Sequence, residues 1–180
     1  MTRLEGAASA ESAVARLFVA ARPPAATLDL IAAQPRSDQP GVRWTSRDQW
    51  HVTLLFLAEA DVDQVADRLA RLDAPTASAR IAGWTTFGRH VGALLVEGLD
   101  DLAHAVERQI GVTVDRPFRG HLTLARSRAR GKLRVRVPPA IGDATAASFA
   151  VTQIELVRSE LTWDGARHTV ELVVPLRSAG

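Results

Sequence analysis

The chain repeats one short pattern, a histidine and a threonine separated by an aliphatic residue, at two places about 70 residues apart. The copies read HVTL at residues 51–54 and HLTL at residues 121–124. Side chains alternate along a β-strand, so each His–Thr pair shares one face while the aliphatic side chains point to the other. The repeat predicts two equivalent strands, each anchored by an apolar face and each presenting an imidazole and a hydroxyl.

Each tetrad opens the last element of a similar strand–helix–strand unit. The first unit reads as a strand over 17–20, a helix over 24–34 and a strand that begins at His51. The second reads as a strand over 93–96, a helix over 99–110 and a strand that begins at His121. A period of this length is too long for a solenoid and indicates a two-fold internal duplication.

The duplication predicts an α+β fold of two lobes related by a pseudo-two-fold axis, with antiparallel sheets around a central cleft. Helices 24–34, 61–73 and 99–110 should cover the outer faces, because their apolar residues fall on one side at helical spacing. Further strands are predicted over 79–87, 91–97, 149–156 and 169–176. Residues 1–14 are expected to be disordered, and residues 15–176 to form a single bilobal domain.

Composition excludes several classes of protein. The chain contains no cysteine, which excludes disulfides, thiol catalysis and cysteine-ligated metal sites. The longest apolar stretches, such as 52–58 and 170–176, are too short to span a bilayer. The N-terminal stretch lacks the apolar core of a signal peptide. We therefore expect a cytoplasmic protein that works as a monomer.

The high pI carries little information about partners. The pI is about 10.2 although the formal net charge is only +2. Without tyrosine and with Lys132 as the single lysine, few groups titrate between about pH 8 and that lysine near about 10.4. The informative charge is local, because basic residues occupy every second position from 126 to 136. Two interpretations are open: a ribbon that follows an RNA backbone, or a solvated strand edge or flexible loop.

The tetrads point to acid–base chemistry. Two histidines can act as a matched general base and general acid, and two hydroxyls can donate to oxygens that gain charge. Attack of a water on phosphorus, with expulsion of an alkoxide, needs a proton acceptor and a proton donor on opposite sides of the phosphate, and the two histidines provide them without a metal. A single His-x-Thr is more often one polar face of a strand, but two copies at equivalent places favour a functional pair. Zinc is a weaker interpretation, because each strand offers one histidine and no neighbouring carboxylate.

With their context, the tetrads resemble the two-histidine (2H) phosphoesterase superfamily, especially its RNA 2′,3′-cyclic phosphodiesterases, also called 2′-5′ RNA ligases. The resemblance rests on ARLFVAA at 15–21, VRWTSRDQWHVTLLFLAEAD at 42–61 and RPFRGHLTLAR at 116–126. It implies hydrolysis of RNA 2′,3′-cyclic phosphate ends to 2′-phosphates without metal or cofactor, with RNA ends or cyclic nucleotides as substrates. ATP-independent 2′-5′ ligation and a non-catalytic RNA-binding module are the alternatives.

The resemblance also implies roles for individual residues. His51 and His121 would be the catalytic pair, and Thr53 and Thr123 would bind the cyclic phosphate. In the favoured assignment His121 activates the water and His51 protonates the leaving 3′ oxygen. The near symmetry of the site leaves the reverse assignment open.

Arg126 matches an arginine that helps to bind the phosphate in the family. Strand alternation alone would place it on the face opposite His121, so this role requires the strand to end or bulge near Ala125. Gly120 stands where the family usually has proline, which we expect to loosen the entry to the second strand. The remaining histidines are expected at the surface: His90, His104 and His168.

Overall fold

The computed structural model describes residues 13–178 except positions 35, 37, 39, 88, 89, 128–146 and 164. Most of the segment 1–14 that was expected to be disordered therefore lies outside the described residues. The same is true of the basic positions from 128 to 136. Among the helices that are described, none is long and apolar enough to cross a membrane.

Helices and strands alternate along the chain much as the sequence predicts. The helices are α1 (Ala25–Ala32), α2 (Val62–Leu69) and α3 (Asp100–Ile110). The strands are β1 (Val14–Ala21), β2 (Val42–Trp44), β3 (Val52–Asp61), β4 (Ala77–Phe87), β5 (Val91–Glu97), β6 (His121–Ser127), β7 (Ser148–Val151), β8 (Gln153–Thr162) and β9 (Gly165–Pro175).

Two details differ from the sequence prediction. The apolar run predicted as one strand over 149–156 is divided at Thr152, because β7 pairs with β4 whereas β8 pairs with β1 and β9. The chain thus passes from one lobe to the other at this residue. The short strand β2 was not predicted, since three residues are too few for an alternation to be recognised.

The strands form one antiparallel sheet in the order β7-β4-β5-β6-β3-β1-β8-β9, with β2 also paired to β6. The central strands β6 and β3 pair only at Val52 and Leu122, and this pairing joins the two lobes. The segments just before β4 and just after β9 meet where the Thr76 amide donates to the Arg177 carbonyl at 2.9 Å. The α+β prediction with antiparallel strands is confirmed, and the sheets of the two lobes are continuous.

The apolar faces of both tetrads lie in one core, together with α2 and α3. Val52, Leu54, Leu122 and Leu124 are at most 3% exposed. Full burial of each such side chain contributes roughly 1.5–3 kcal/mol to stability. Helix α2 begins cleanly because the Asp61 carboxylate accepts a hydrogen bond from the Gln64 amide. The buried faces hold the tetrad strands in place and leave their polar faces for the site.

Candidate active site

Both His–Thr pairs surround the point where the two lobes meet. Val52 pairs with Leu122 in antiparallel register. Each histidine therefore lies across from the threonine of the other strand. The paired aliphatic residues are fully buried, whereas the four polar residues are partly exposed. A local two-fold axis thus relates the two pairs and brings them to the same side of the sheet.

Each tetrad strand contains a β-bulge just after its threonine. The extra residue is Leu54 in β3 and Leu124 in β6, each passed over in the register with the neighbouring strand. Because each of these leucines and the residue after it are buried, the alternation is reset and the fifth residue after each histidine faces the cavity. These residues are Phe56 and Arg126. The bulge near Ala125 that the role of Arg126 required is present.

A cavity of about 400 Å³ opens on this side of the sheet. Its walls include all the predicted site residues: His51, Thr53, His121, Thr123 and Arg126. Residues from distant parts of the chain complete the walls: Arg16 and Phe18 from β1, Arg43 from β2 and His168 from β9. Within the described ranges, no group of three or more His, Asp and Glu side chains is arranged to hold a metal ion.

His51 is enclosed by aromatic rings. The Phe18 ring is stacked on it with centroids 4.6 Å apart, and the His168 ring meets it edge-on at 5.5 Å. Burial lowers the pKa of His51 to about 3, and the positive charges of His168 and Arg22 act in the same direction. A hydrogen bond to the Gln49 backbone carbonyl raises this pKa, but by less. The protein therefore favours the neutral imidazole at this position.

His121 is bound to the backbone in a corresponding way but is less enclosed. Its Nδ1 lies 2.8 Å from the Arg119 carbonyl oxygen. Because a carbonyl only accepts, Nδ1 carries the hydrogen, and Nε2 is left free to exchange a proton with a ligand. The Phe87 ring contacts the imidazole at 4.2 Å and also lies beneath the Arg119 guanidinium, at 5.1 Å. Both histidines are thus oriented through a backbone carbonyl two residues earlier.

Comparison with known proteins places this chain in a family. The family described as LigT like phosphoesterase matches residues 19–94. The RNA 2′,3′-cyclic phosphodiesterase of Thermus thermophilus is 35% identical over 144 residues, which cover 68% of this chain and 69% of that protein. The chain belongs to the LigT-like phosphoesterases. It is therefore a hydrolase of the 2H phosphoesterase superfamily.

Solved structures have the same fold as this phosphoesterase. The crystal structure of a Thermus thermophilus protein has a TM-score of 0.68 and 30% identity, and the match covers 92% of this chain and 100% of that one. Escherichia coli LigT in its apo form has a TM-score of 0.70 and 24% identity, and covers 91% of this chain and 98% of its own.

The entry to β6 is tighter than the sequence suggested. A Cβ atom at Gly120 would lie 2.2 Å from the Val96 carbonyl oxygen. The Val96 amide in turn donates to the Gly120 carbonyl at 2.9 Å. The expectation of a loosened entry is therefore wrong, because the glycine allows the two backbones to approach closely just before His121.

One histidine of the cavity was missed by the sequence prediction. His168 was expected at the surface, but it lies in the cavity wall with its Nδ1 buried and without a hydrogen-bond partner among the described residues. Burial lowers its pKa, and the charge of Arg22 adds to this effect. The signal that could have located His168 is the register of the β8–β9 hairpin, in which His168 pairs with Ser159. His90 and His104 are exposed, as predicted.

Proposed function

We propose that this phosphoesterase hydrolyses the 2′,3′-cyclic phosphate ends of RNA to 2′-phosphates, with residues 15–176 as its catalytic domain and no metal. The observation that carries the proposal is the Val52–Leu122 pairing, which sets both His–Thr pairs around one cavity. The bulge in β6 adds the Arg126 guanidinium to the same wall. The name of the Thermus relative points to the same substrate.

In the proposed reaction a water oxygen attacks the phosphorus and the bond from phosphorus to the 3′ oxygen breaks. His121 takes the proton of the water through Nε2, and His51 gives a proton to the leaving 3′ oxygen. The hydroxyls of Thr53 and Thr123 donate to the non-bridging oxygens as these gain charge. The product has a 2′-phosphate and a free 3′-hydroxyl.

The low pKa of His51 is compatible with the role of general acid only when substrate is bound. Burial and nearby cations set that pKa to about 3. A phosphate anion seated beside the imidazole adds the opposite charge and raises the pKa, so that His51 takes up a proton as substrate binds. The pH dependence of kcat should then report a higher pKa for this group than that of kcat/KM, which reflects the free enzyme.

The test is turnover of an RNA oligonucleotide that ends in a 2′,3′-cyclic phosphate, in buffer containing EDTA. We expect a 2′-phosphate product, and its loss in His51→Ala and in His121→Ala. His104→Ala is the matched control, because this histidine is exposed on α3. No turnover, or turnover that both active-site variants retain, would overturn the proposal.

Two further arms separate the alternatives. Loss of turnover in EDTA, with recovery on adding a divalent metal, would indicate a metal mechanism. An RNA with a free 5′-hydroxyl tests ligation, in which that oxygen replaces water as the nucleophile and the same bond to the 3′ oxygen breaks. Binding of the cyclic-phosphate RNA without any product would indicate a non-catalytic RNA-binding module.

A further inference from the structure

The cavity contains more positive charge than one cyclic phosphate requires. Besides Arg126, both Arg16 and Arg43 line it. In the described part of the chain, these three arginines form no ion pair with a carboxylate, in contrast to Arg22, which pairs with Glu155. A cyclic phosphodiester carries a single negative charge, and the proposed function assigns Arg126 to it. The guanidinium groups of Arg16 and Arg43 are therefore not required to bind the cyclic phosphate.

Arg16 is oriented by an aromatic ring rather than by an anion. Its guanidinium carbon lies 4.7 Å from the centroid of Phe56, which is 47% exposed. A cation–π contact of this kind orients a guanidinium without neutralising it, so all its N–H donors remain available to a ligand. Phe56 reaches this position through the bulge in β3. At this position the first tetrad strand thus carries Phe56, which orients Arg16, whereas the second tetrad strand carries an arginine itself, Arg126.

Arg43 is placed next to Arg126 by strand pairing. The two residues lie opposite each other between β2 and β6. The Arg43 Nη1 would be 3.1 Å from a Cβ atom at Gly165, so the glycine leaves room for the guanidinium at the cavity wall. Burial lowers the pKa of Arg126, and the charges of Arg43 and Arg16 lower it further. Such a like-charge cluster is stabilised when anionic oxygens bind between its members.

We propose that Arg16 and Arg43 bind a second phosphate, on the 5′ side of the nucleoside that carries the cyclic phosphate. This inference rests on the proposed function and specifies its substrate class. The cavity of about 400 Å³ falls in the size range of sites for small ligands such as nucleotides. The second phosphate is either the internal phosphodiester of an RNA chain or the 5′-phosphate of a mononucleotide.

The experiment compares kcat/KM for three substrates with the same reacting end. These are adenosine 2′,3′-cyclic phosphate, the same nucleotide with a 5′-phosphate, and the dinucleotide ApA with a 2′,3′-cyclic phosphate. We expect at least one of the two substrates with a 5′-side phosphate to exceed the first by about tenfold, the size of one charged hydrogen-bonded pair. Whichever of the two gains more identifies the source of the phosphate.

The variants test which arginines are responsible. Arg16→Ala and Arg43→Ala should each lower this preference ratio toward one, and Phe56→Leu should lower it in part because all charges remain. Arg80→Ala is the control, because Arg80 pairs with Glu97 on the surface and lies outside the cavity lining. The preference ratio of Arg80→Ala should equal that of the wild type. Thermal unfolding of every variant should be measured to check that the fold is retained.

The outcomes separate the two proposals. Equal kcat/KM for all three substrates would overturn the second phosphate site and leave the proposed function intact. A preference that survives both Arg16→Ala and Arg43→Ala would also overturn it. No turnover of any substrate would overturn the proposed function, and this inference with it.

Discussion

The two tetrad strands share their local backbone features but differ in their surroundings. Both β3 and β6 carry a bulge after the threonine, and both histidines are hydrogen-bonded to the carbonyl two residues earlier. Yet His51 is enclosed by Phe18 and His168, whereas among the described residues His121 has one aromatic neighbour, Phe87. The fifth position after the histidine is phenylalanine in one strand and arginine in the other.

This difference shows how a symmetric framework places two histidines in unlike environments. The residues before the histidines illustrate it: Trp50 is 1% exposed and its indole donates to the Thr45 hydroxyl at 3.0 Å, whereas Gly120 only permits close backbone contact. A proton donor and a proton acceptor need different environments. The two halves share the strand register that positions their His–Thr pairs. They differ in the burial of these pairs and in the charge around them.

The largest expected effect comes from removing the histidines. His51→Ala and His121→Ala should each lower the single-turnover rate on cyclic-phosphate RNA by about 10²–10⁴-fold. The double variant should be little slower than either single variant, because in the proposed reaction both groups act in one transition state. His90→Ala, in an exposed turn, serves as the control. Losses that multiply would mean that the two histidines act in separate steps.

The threonines test whether the symmetry extends to phosphate binding. Thr53→Val and Thr123→Val should each lower kcat by about 10²-fold, because each removes one hydroxyl donor while keeping a β-branched side chain. Steady-state kinetics should show similar losses for the two variants. Thr86→Val, exposed on β4, is the matched control. A loss confined to one threonine would show that only one strand binds the reacting phosphate.

The residues after the two bulges should differ in their effect. Arg126→Ala should lower kcat/KM for adenosine 2′,3′-cyclic phosphate by about tenfold or more, since a charged hydrogen-bonding partner is lost. Arg126→Lys should recover part of this loss. Phe56→Ala should lower kcat/KM for this substrate by less than Arg126→Ala does. An equal loss at Phe56 would mean that both bulges serve the reacting phosphate.

The smallest expected effect is on the pH dependence of the free energy of unfolding. The folded-state pKa of His51 is about 3, while that of an ordinary histidine is about 6.5. Between these values the unfolded chain binds a proton that the folded chain does not, so the stability contributed by this group is lost as pH falls. When the pH falls from 7 to 5, the free energy of unfolding should therefore decrease by about 1–2 kcal/mol less in His51→Gln than in the wild type. Urea unfolding at the two pH values measures this difference.

A control and a contrary result complete that experiment. His104→Gln should show the wild-type pH dependence, because this side chain lies on the exposed face of α3. If His51→Gln loses as much stability as the wild type, the protein does not hold this imidazole in its neutral form. The enclosure that distinguishes the two halves would then have no electrostatic effect.

The elements with strong periodicity could be predicted from the sequence. Helix α3, for example, shows an apolar stripe followed by Gly111, whose φ of 77° ends the helix. Strand β2 could not be predicted, because its pairing with β6 rather than its own pattern makes it a strand. The division at Thr152 was missed for a similar reason, since it marks a change of partner strand. His168 was missed because its ring neighbours are Phe18 in β1 and His51 just before β3.

The sequence by itself determined that a His–Thr pair occurs twice, and it predicted that these residues carry the chemistry. Local alternation is enough for this, because it assigns each histidine and threonine to one face of a strand. Only the tertiary structure decided which residues surround them. Arg16, Arg43 and His168 reach the cavity through pairing between strands far apart in the chain. Burial and charge depend on those neighbours, and so does the difference between the two histidines.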